Sequence, residues 1–329
     1  MNDVDQLARL HQAVKDLRIQ VGERIVGQSD TVDGMLTAIL SGGHALLVGV
    51  PGLAKTLMIS TLAEALDLSF NRIQFTPDLM PSDITGTEII EEDLTTGKRA
   101  FRFVHGPVFA QVVLADEINR TPPKTQAALL QAMQEHQVTV GGTTYRLAEP
   151  FFVLATQNPL EQEGTYPLPE AQLDRFMLEL RVGYPSRAEE EQIVERTTGS
   201  RAGTVKPVLD AAALVQMQEL VRRIPVSKEL IASAVQLTRL TRPSEASAPS
   251  FIKEFVEWGA GPRASQYLVL GAKARAAMAG RPMADLDDVK EIARQVLRHR
   301  LVTNFAAEAA ERTADDLIQE MLEGKGWRA

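Results

Sequence analysis

Cysteine is missing from all 329 residues of the sequence, and long apolar runs are missing as well. Without cysteine the chain has no disulfide framework and no thiolate metal site, which suits a reducing compartment. No apolar run approaches the ~20 residues that a membrane-spanning helix needs. The first six residues also lack the apolar core of a secretory signal. We therefore expect a soluble, cytoplasmic protein with no membrane span.

The sequence also has no excess of positive charge. It contains 35 lysine and arginine residues and 43 aspartate and glutamate residues, which gives a net charge of −8. That sign argues against binding nucleic acid through the overall field of the protein, although a local basic pore stays compatible with it. The histidines show no metal-ligand spacing, and no Ser/His/Asp nucleophile set is visible. We interpret His44, His105, His136 and His299 as solvated or core residues.

A glycine-bearing turn lies between an apolar run at 45–48 and a helical pattern at 57–63. In this context the backbone N–H groups of the turn and the N-terminus of the helix converge on one phosphate. Lys55 would reach the β- and γ-phosphates of ATP, and the Thr56 hydroxyl would hold Mg²⁺. The predicted nucleotide-binding residues are Gly49, Val50, Pro51, Gly52, Leu53, Ala54, Lys55, Thr56 and Leu57.

Ala54 departs from the usual loop pattern, which has a second glycine at this position. Because alanine carries a Cβ, we expect it to fit only if its φ angle is negative. The alternative for the whole segment is an ordinary glycine turn that precedes a helix.

Two adjacent carboxylates, Asp116 and Glu117, end a second apolar run at 111–115. Ligands bind at the carboxyl ends of parallel strands, and two acids there repel each other unless a counter-charge is present. Mg²⁺ supplies one, so we expect Asp116 to hold the ion through water. Glu117 would act as general base toward the attacking water. The alternative is a strand end with two solvated acids.

A third apolar run at 151–156 leads to Asn158, which we expect at the same sheet edge as the carboxylates. Asn158 would orient the water or contact the γ-phosphate, or it would simply form an Asn-Pro turn. Two β-hairpins are predicted beside this core. One lies within 77–105 with its turn at 96–98, and the other spans 138–147. Such insertions carry partner contacts or are merely tolerated surface hairpins.

The remaining pattern is mostly helical. Helices are predicted at 3–20, 30–41 and up to His136 in the first half. Strands are predicted at 70–75 and 177–182. From residue 185 the β signals vanish, and 243–250 is predicted to be a flexible connection. Helices in this second half are predicted at 186–196, 210–223, 227–241, 263–279 and 285–299, with a last one over most of 302–323.

The motifs together resemble the AAA+ ATPases: the phosphate loop, the carboxylate pair, Asn158, Arg175 and Arg263 occur in that family's order. The MoxR family is closer still, and Ala54 is typical of its loop, GxPGxAKT. The resemblance covers most of residues 22–305. It is carried by ADEINR at 115–120, PPKTQ at 122–126, ATQNP at 155–159, PLPEAQLDRF at 167–176, PRAS at 262–265 and VLRHR at 296–300.

The resemblance implies a doubly wound αβα core with a five-stranded parallel sheet, followed by an all-α lid. We place the core, with its N-terminal helix and both hairpins, at 1–184 and the lid at 185–329. The hairpins match the two insertions of the clade that contains MoxR proteins. In rings of that clade they face the pore or the client.

The resemblance also implies a role for each site residue. Lys55 and Thr56 match Walker A, Asp116 and Glu117 match Walker B, and Asn158 matches sensor 1. Arg175 matches the arginine finger, which acts on the nucleotide of the neighbouring subunit, although alone it reads as a surface arginine. Arg263 matches sensor 2, the lid's contact with the γ-phosphate. The adenine-side box matches Ile25, Val26, Gly27 and Gln28, which otherwise read as a helix connector.

Family members are generally hexameric, chaperone-like ATPases that work with proteins carrying a von Willebrand factor A domain. They mature or activate other complexes, sometimes by inserting a metal cofactor. A trans-acting arginine contributes ~10³–10⁵ in rate, so a lone subunit should be nearly inactive. Two alternatives stay open: a nucleotide-gated scaffold with little turnover, and a nucleic-acid motor, against which the acidic net charge argues.

Overall fold

The computed structural model describes residues 2–92, 99–160, 164–199, 203–324 and 326–328. Its strands are β1 (Ala45–Val48), β2 (Phe70–Gln74), β3 (Gly86–Glu92), β4 (Arg99–His105), β5 (Val112–Asp116), β6 (Gln137–Val140), β7 (Thr143–Arg146), β8 (Phe152–Gln157), β9 (Leu178–Arg181), β10 (Val256–Trp258) and β11 (Val302–Thr303).

Helices account for most of the rest of the described chain. They are α1 (Asp3–Gly22), α2 (Ser29–Leu40), α3 (Lys55–Ala65), α4 (Pro81–Thr85), α5 (Pro123–Glu135), α6 (Glu170–Leu173), α7 (Arg187–Thr198), α8 (Ala211–Arg223), α9 (Lys228–Leu240), α10 (Ser250–Phe255), α11 (Pro262–Met278), α12 (Leu286–Leu297), α13 (Phe305–Ala309) and α14 (Ala314–Glu323). None of these described helices is long and apolar enough to cross a membrane.

A five-stranded parallel sheet with the order β2-β5-β8-β1-β9 forms the centre of the fold. Its inner strands are apolar except at the carboxyl ends of β5 and β8, as expected for strands covered on both faces. Successive side chains alternate between two hydrophobic clusters: Val112 and Leu114 pack on one face of the sheet, and Val113 and Ala115 on the other. The predicted αβα fold with a helical lid is confirmed.

Both predicted hairpins are present. β3 pairs with β4 and β6 with β7, each in antiparallel register. Positive φ angles at Gly141 and Gly142 form the turn of the second hairpin. The two hairpins contact each other, because the rings of Phe103 and Tyr145 stack with centroids 4.1 Å apart. The predicted turn at 96–98 lies outside the described residues.

The helical segment after β9 differs from the predicted pattern in two places. The prediction of one helix over 302–323 is wrong, because Asn304 caps α13, Glu311 has a φ of 52°, and Thr313 caps α14. Each cap supplies a side-chain acceptor to the next helix and so starts it anew. A short antiparallel pair, β10 with β11, also interrupts the helices. These strands are too short to show a periodic pattern.

The segment 243–250 forms turns and leads into α10. Hydrogen bonds from the amides of Glu245 and Ala248 to preceding carbonyls close these turns. Arg239 of α9 also pairs with Glu245 at 2.8 Å. The division of the chain at residue 184 stays a prediction.

Candidate functional site

The phosphate loop connects the carboxyl end of β1 to the start of α3. Gly52 has a φ of 86°, and a Cβ built there would meet no atom within 4 Å, so the space in front of the loop is open. Ala54 has a φ of 55° and directly precedes α3. The expectation of a negative φ at Ala54 is therefore wrong. The tight entry into α3 imposes the left-handed conformation, which costs an alanine roughly 1–2 kcal/mol.

Lys55 is the first residue of α3, and its Nζ donates to the loop itself. The acceptors are the carbonyl oxygens of Gly49 at 2.5 Å and Val50 at 2.7 Å. Partial burial lowers the pKa of Lys55, and the nearby charges of Asp116 and Glu117 oppose that shift. The ammonium therefore lies against the loop, within the field of both carboxylates.

Asp116 ends β5 and is buried, with a partner on each side-chain oxygen. Thr156 of β8 donates its hydroxyl to Oδ1 at 2.6 Å. Arg72 of β2 donates to Oδ2, from Nη2 at 2.6 Å and from Nε at 3.0 Å. An arginine thus compensates the charge of this carboxylate, as a buried acid requires.

Glu117 directly follows β5 and has a φ of 56°. The chain therefore leaves the direction of the strand at this residue, and the Glu117 side chain faces the site. Gln74 of β2 donates to its Oε2 at 3.0 Å, and Arg120 pairs with the same oxygen at 3.0 Å. The backbone N–H of Glu117 donates to the Thr156 hydroxyl at 2.9 Å. The carboxylate and its backbone are therefore both held by neighbouring side chains.

The phosphate loop and both carboxylates line one cavity of about 380 Å³. Asn158 is buried at its wall, and its Oδ1 accepts from the Leu160 amide at 3.1 Å. The sequence thus correctly places Asn158 with the carboxylates, although its amide oxygen also forms the Asn-Pro turn. The lining residues are Pro51, Gly52, Leu53, Ala54, Lys55, Thr56, Leu57, Asp116, Glu117, Thr156, Gln157 and Asn158.

The residues in this cavity fit a magnesium nucleotide. Thr56 and Asp116 both line it and supply a hydroxyl and a carboxylate oxygen, the ligands that Mg²⁺ takes together with water and phosphate. The space in front of Gly52 is open, and the backbone N–H groups at the start of α3 are donors for phosphate oxygens. Within the described residues, no group of three or more acidic or histidine side chains forms a site that would hold a metal by protein ligands alone.

The two predicted arginines, Arg175 and Arg263, are not among the residues that line this cavity. They lie together elsewhere: Arg263 pairs with Asp174 at 3.2 Å, and Asp174 directly precedes Arg175. Tyr267 of α11 donates its hydroxyl to the Arg175 carbonyl at 3.4 Å. The structure thus places Arg263 beside the segment that carries Arg175, and neither arginine lines the cavity of the phosphate loop.

The predicted adenine-side box also lies outside the lining of the cavity. Ile25 is buried in the core, and Gln28 donates from Nε2 to the Gly183 carbonyl at 2.9 Å. A second cavity of about 720 Å³ shares Leu57 with the first, and Glu23 and Arg24 contribute to its wall. This second cavity therefore lies beside the start of the box, where Arg24 precedes Ile25.

Four further residues hold the carboxylates without having been predicted as site residues: Thr156, Arg72, Gln74 and Arg120. The sequence does hold a signal for two of them. Arg72 and Gln74 are two residues apart on β2, which pairs with β5, so their side chains lie on the same face of the sheet. Their partnership with the carboxylates depends on strand order, which a local pattern does not give.

The fold and the site together define a phosphate-loop nucleotide-binding core of the AAA type with a helical lid. The model of the ATPase family associated with various cellular activities (AAA) matches residues 44–178, and the AAA lid domain model matches 250–321. The chain belongs to the MoxR family of AAA+ ATPases.

Three relatives illustrate this membership. Chaperone MoxR1 of Mycobacterium tuberculosis is 44% identical over 92% of this chain and 79% of its own length. The uncharacterized protein YeaC of Bacillus subtilis is 41% identical over 95% of this chain and 94% of its own. A solved structure of a proposed ATPase from Cytophaga hutchinsonii is 40% identical, covers 97% of this chain and 96% of its own, and has a TM-score of 0.90.

Proposed function

We propose that this protein binds ATP with Mg²⁺ and hydrolyses it within a ring of identical subunits. ATP hydrolysis then drives chaperone-like remodelling, maturation or activation of another protein complex. The observation that carries the proposal is the division of the site. The phosphate loop, Asp116, Glu117 and Asn158 share one cavity, whereas neither Arg175 nor Arg263 lines it, and Arg263 pairs with Asp174, the residue before Arg175.

Each side chain in the cavity has a role in this proposal. Lys55 would move its ammonium from the carbonyls of Gly49 and Val50 to the β- and γ-phosphates, and the loop amides would donate to the phosphate oxygens beside it. Thr56 and Asp116 hold Mg²⁺, which when bound neutralises charge on the phosphate oxygens. Glu117, oriented by Gln74 and Arg120, takes a proton from the attacking water. Asn158 orients that water.

Arg175 and Arg263 act on the nucleotide of the neighbouring subunit in this proposal, because neither lines the cavity of its own chain. A cation supplied in trans stabilises charge in the transition state and is worth ~10³–10⁵ in rate. Hydrolysis therefore requires assembly. The hexameric ring and the partner with a von Willebrand factor A domain rest on the family resemblance, and the cytoplasmic location rests on the composition of the sequence. The chaperone-like role is also supported by the relative described as Chaperone MoxR1.

The decisive experiment measures ATP turnover per subunit as protein concentration rises. We expect turnover to climb with concentration in the parent, and Glu117→Gln and Arg175→Ala to lose it by about a hundredfold or more while still binding ATP. Glu135→Gln and Arg9→Ala change an exposed acid and an exposed arginine elsewhere, and they should behave like the parent.

Two outcomes would replace the proposal. If the parent binds ATP but turns over as slowly as Glu117→Gln, the protein is a nucleotide-gated scaffold. If added DNA stimulates turnover and salt abolishes that effect, it is a nucleic-acid motor. Full turnover at every concentration would contradict a trans-acting arginine.

A further inference from the structure

Two side chains of the lid hold the segment 174–177, which connects α6 to β9 and carries Arg175. Arg300 donates to three of its carbonyl oxygens, at distances of 3.0 Å for Asp174, 2.6 Å for Phe176 and 3.3 Å for Met177. Tyr267 of α11 donates to the remaining one, that of Arg175, at 3.4 Å. The segment lies within the match to the AAA model, and both donors lie within the match to the lid model. The lid thus fixes the backbone of the core on both sides of Arg175.

Arg300 is buried, with a side chain that is only 2% exposed. Its five N–H groups have five oxygen acceptors: besides the three carbonyls, these are the carboxylate of Asp174, which Nε reaches at 2.7 Å, and the carbonyl of Val296. Its Cζ also lies over the ring of Tyr267, 5.2 Å from the centroid. Burial of a charged group costs free energy, and apolar side chains often replace buried ion pairs without loss of stability. The presence of Arg300 is therefore explained better by the acceptors that it orients, four of which lie on the segment 174–177, than by stability.

Arg175 depends on this backbone for its position. Within the described residues its side chain makes no hydrogen bond and no ion pair, and it is half-buried. Its place is therefore set by the segment from which it starts. The carboxylate of Asp174 adds a second link, because one oxygen accepts from Arg300 and the other pairs with Arg263 at 3.2 Å. Arg300 thus contacts the supports of both arginines that the proposed function assigns to the neighbouring nucleotide.

We propose that Arg300 is a positioning residue for Arg175, because it holds the segment 174–177 in place from the lid. This inference rests on the proposed function, in which Arg175 acts on the nucleotide of the neighbouring subunit, and it adds the residue that sets where Arg175 stands. Arg300 does not line the nucleotide cavity of its own chain. A displacement of a reacting group by about 1 Å can lower a rate ~10²-fold, so a loosened segment should slow hydrolysis in the neighbour and leave the subunit's own site intact.

The test mixes two variants of the full-length protein. Arg300→Met keeps its own phosphate loop and Glu117 but loses the support of Arg175, whereas Glu117→Gln keeps that support but loses the general base. At protein concentrations where the turnover of the parent per subunit is maximal, we expect Arg300→Met alone to be about ten- to a hundredfold slower than the parent. An equal mixture should recover roughly a quarter of the parental turnover, because half of the subunits keep a working site and half of those have a neighbour with a well-placed arginine.

Two controls accompany the mixture. Arg175→Ala mixed with Glu117→Gln should recover to the same extent, because it divides the site between subunits in the same way. Arg298→Met removes a second buried arginine of the turn Arg298–Arg300, whose side chain donates to Asp315 of α14 at 3.0 Å instead of to the segment. Its turnover should stay within about twofold of the parent. Binding of a fluorescent ATP analogue should also stay within about twofold for all the arginine variants, which shows that each subunit folds and keeps its own site.

Arg300→Lys covers the case in which Arg300→Met does not fold, because lysine keeps the charge but reaches fewer of the five acceptors. It should be slower than the parent, and Glu117→Gln should rescue it in the same way. Rescue of the Arg175→Ala mixture without rescue of either Arg300 mixture would overturn this inference and leave the proposed function standing. Turnover of both Arg300 variants at the level of Arg298→Met would overturn it as well. If the Arg175→Ala mixture is not rescued either, the trans-acting arginine of the proposed function fails, and this inference fails with it.

Discussion

Arg72 and Asp116 form a two-pronged contact across neighbouring strands: the Nη2 and Nε atoms of Arg72 lie 2.6 and 3.0 Å from one oxygen of Asp116. Asp116 is also the residue that we expect to hold Mg²⁺. In the proposed magnesium site the cation would therefore compete with Arg72 for this carboxylate, whose charge Arg72 compensates in the structure.

Replacing Arg72 with alanine should tighten the binding of Mg²⁺ with ATP. Removal of a positive charge next to the site favours the cation by roughly 1 kcal/mol, or about fivefold in dissociation constant, given that Arg72 is half exposed. A titration of Mg²⁺ against a fluorescent ATP analogue measures this. Arg18→Ala breaks a similar arginine–aspartate pair, with Asp33, outside the lining of the site and serves as control. Weaker Mg²⁺ binding in Arg72→Ala would show that Arg72 supports the metal instead.

Thr156→Val should impair both stability and hydrolysis. The Thr156 hydroxyl donates to Asp116 and accepts from the Glu117 amide, so valine leaves two polar groups at the site without their partner. We expect a loss of about 1–3 kcal/mol in the free energy of unfolding and a turnover lower by roughly tenfold or more, because Glu117 is then less firmly positioned. Urea unfolding and ATP turnover measure the two effects.

The matched control for this position is Thr156→Ser, which keeps the hydroxyl and removes only a methyl group. Its turnover should stay close to that of the parent. Equal losses in the serine and valine variants would mean that packing of the methyl group, and not the hydrogen bonds, matters here.

Much of the site could be predicted because its signals are local. The phosphate loop, the carboxylates and Asn158 each follow an apolar strand directly, and carboxyl ends of parallel strands meet at one edge. The contacts of Arg72 and Thr156 could not be predicted, because they depend on β2 and β8 flanking β5. Strand order is a property of the whole fold.

The pair of strands in the lid shows a second limit. β10 has three residues and β11 has two, and their pairing joins segments more than forty residues apart. A pattern of period two cannot be recognised over such lengths. The sequence patterns therefore assign no element to Trp258, whereas the structure places it in β10, where it lines the same cavity as Asp174.

Ala54→Gly tests the one backbone expectation that the structure overturned. Glycine removes the cost of a Cβ at a φ of 55°, roughly 1–2 kcal/mol, but it also makes the unfolded chain more flexible by about 0.4–1 kcal/mol. We expect a protein that is as stable as the parent or about 1 kcal/mol more stable, with ATP binding retained. Ala127→Gly, on the exposed face of α5, should instead lose about 1 kcal/mol. Thermal unfolding distinguishes the two signs, and a clear destabilisation by Ala54→Gly would mean that the alanine methyl group makes needed contacts.

His44 should make stability fall as the solution becomes acidic. Burial lowers its pKa from 6.5 to about 4, the Met133 carbonyl opposes that shift, and the charge of His136 adds to it. The neutral ring donates to Met133 and accepts from the Val153 amide, so protonation breaks the second bond. Because the unfolded chain takes up the proton between pH 6.5 and 4 and the folded chain does not, this contribution is complete above pH 6.5 and is lost below it. Between pH 7 and 5 the loss is roughly 2 kcal/mol. Urea unfolding at both pH values should show a steeper decline for the parent than for His44→Gln, and parallel profiles would exclude His44 as the source.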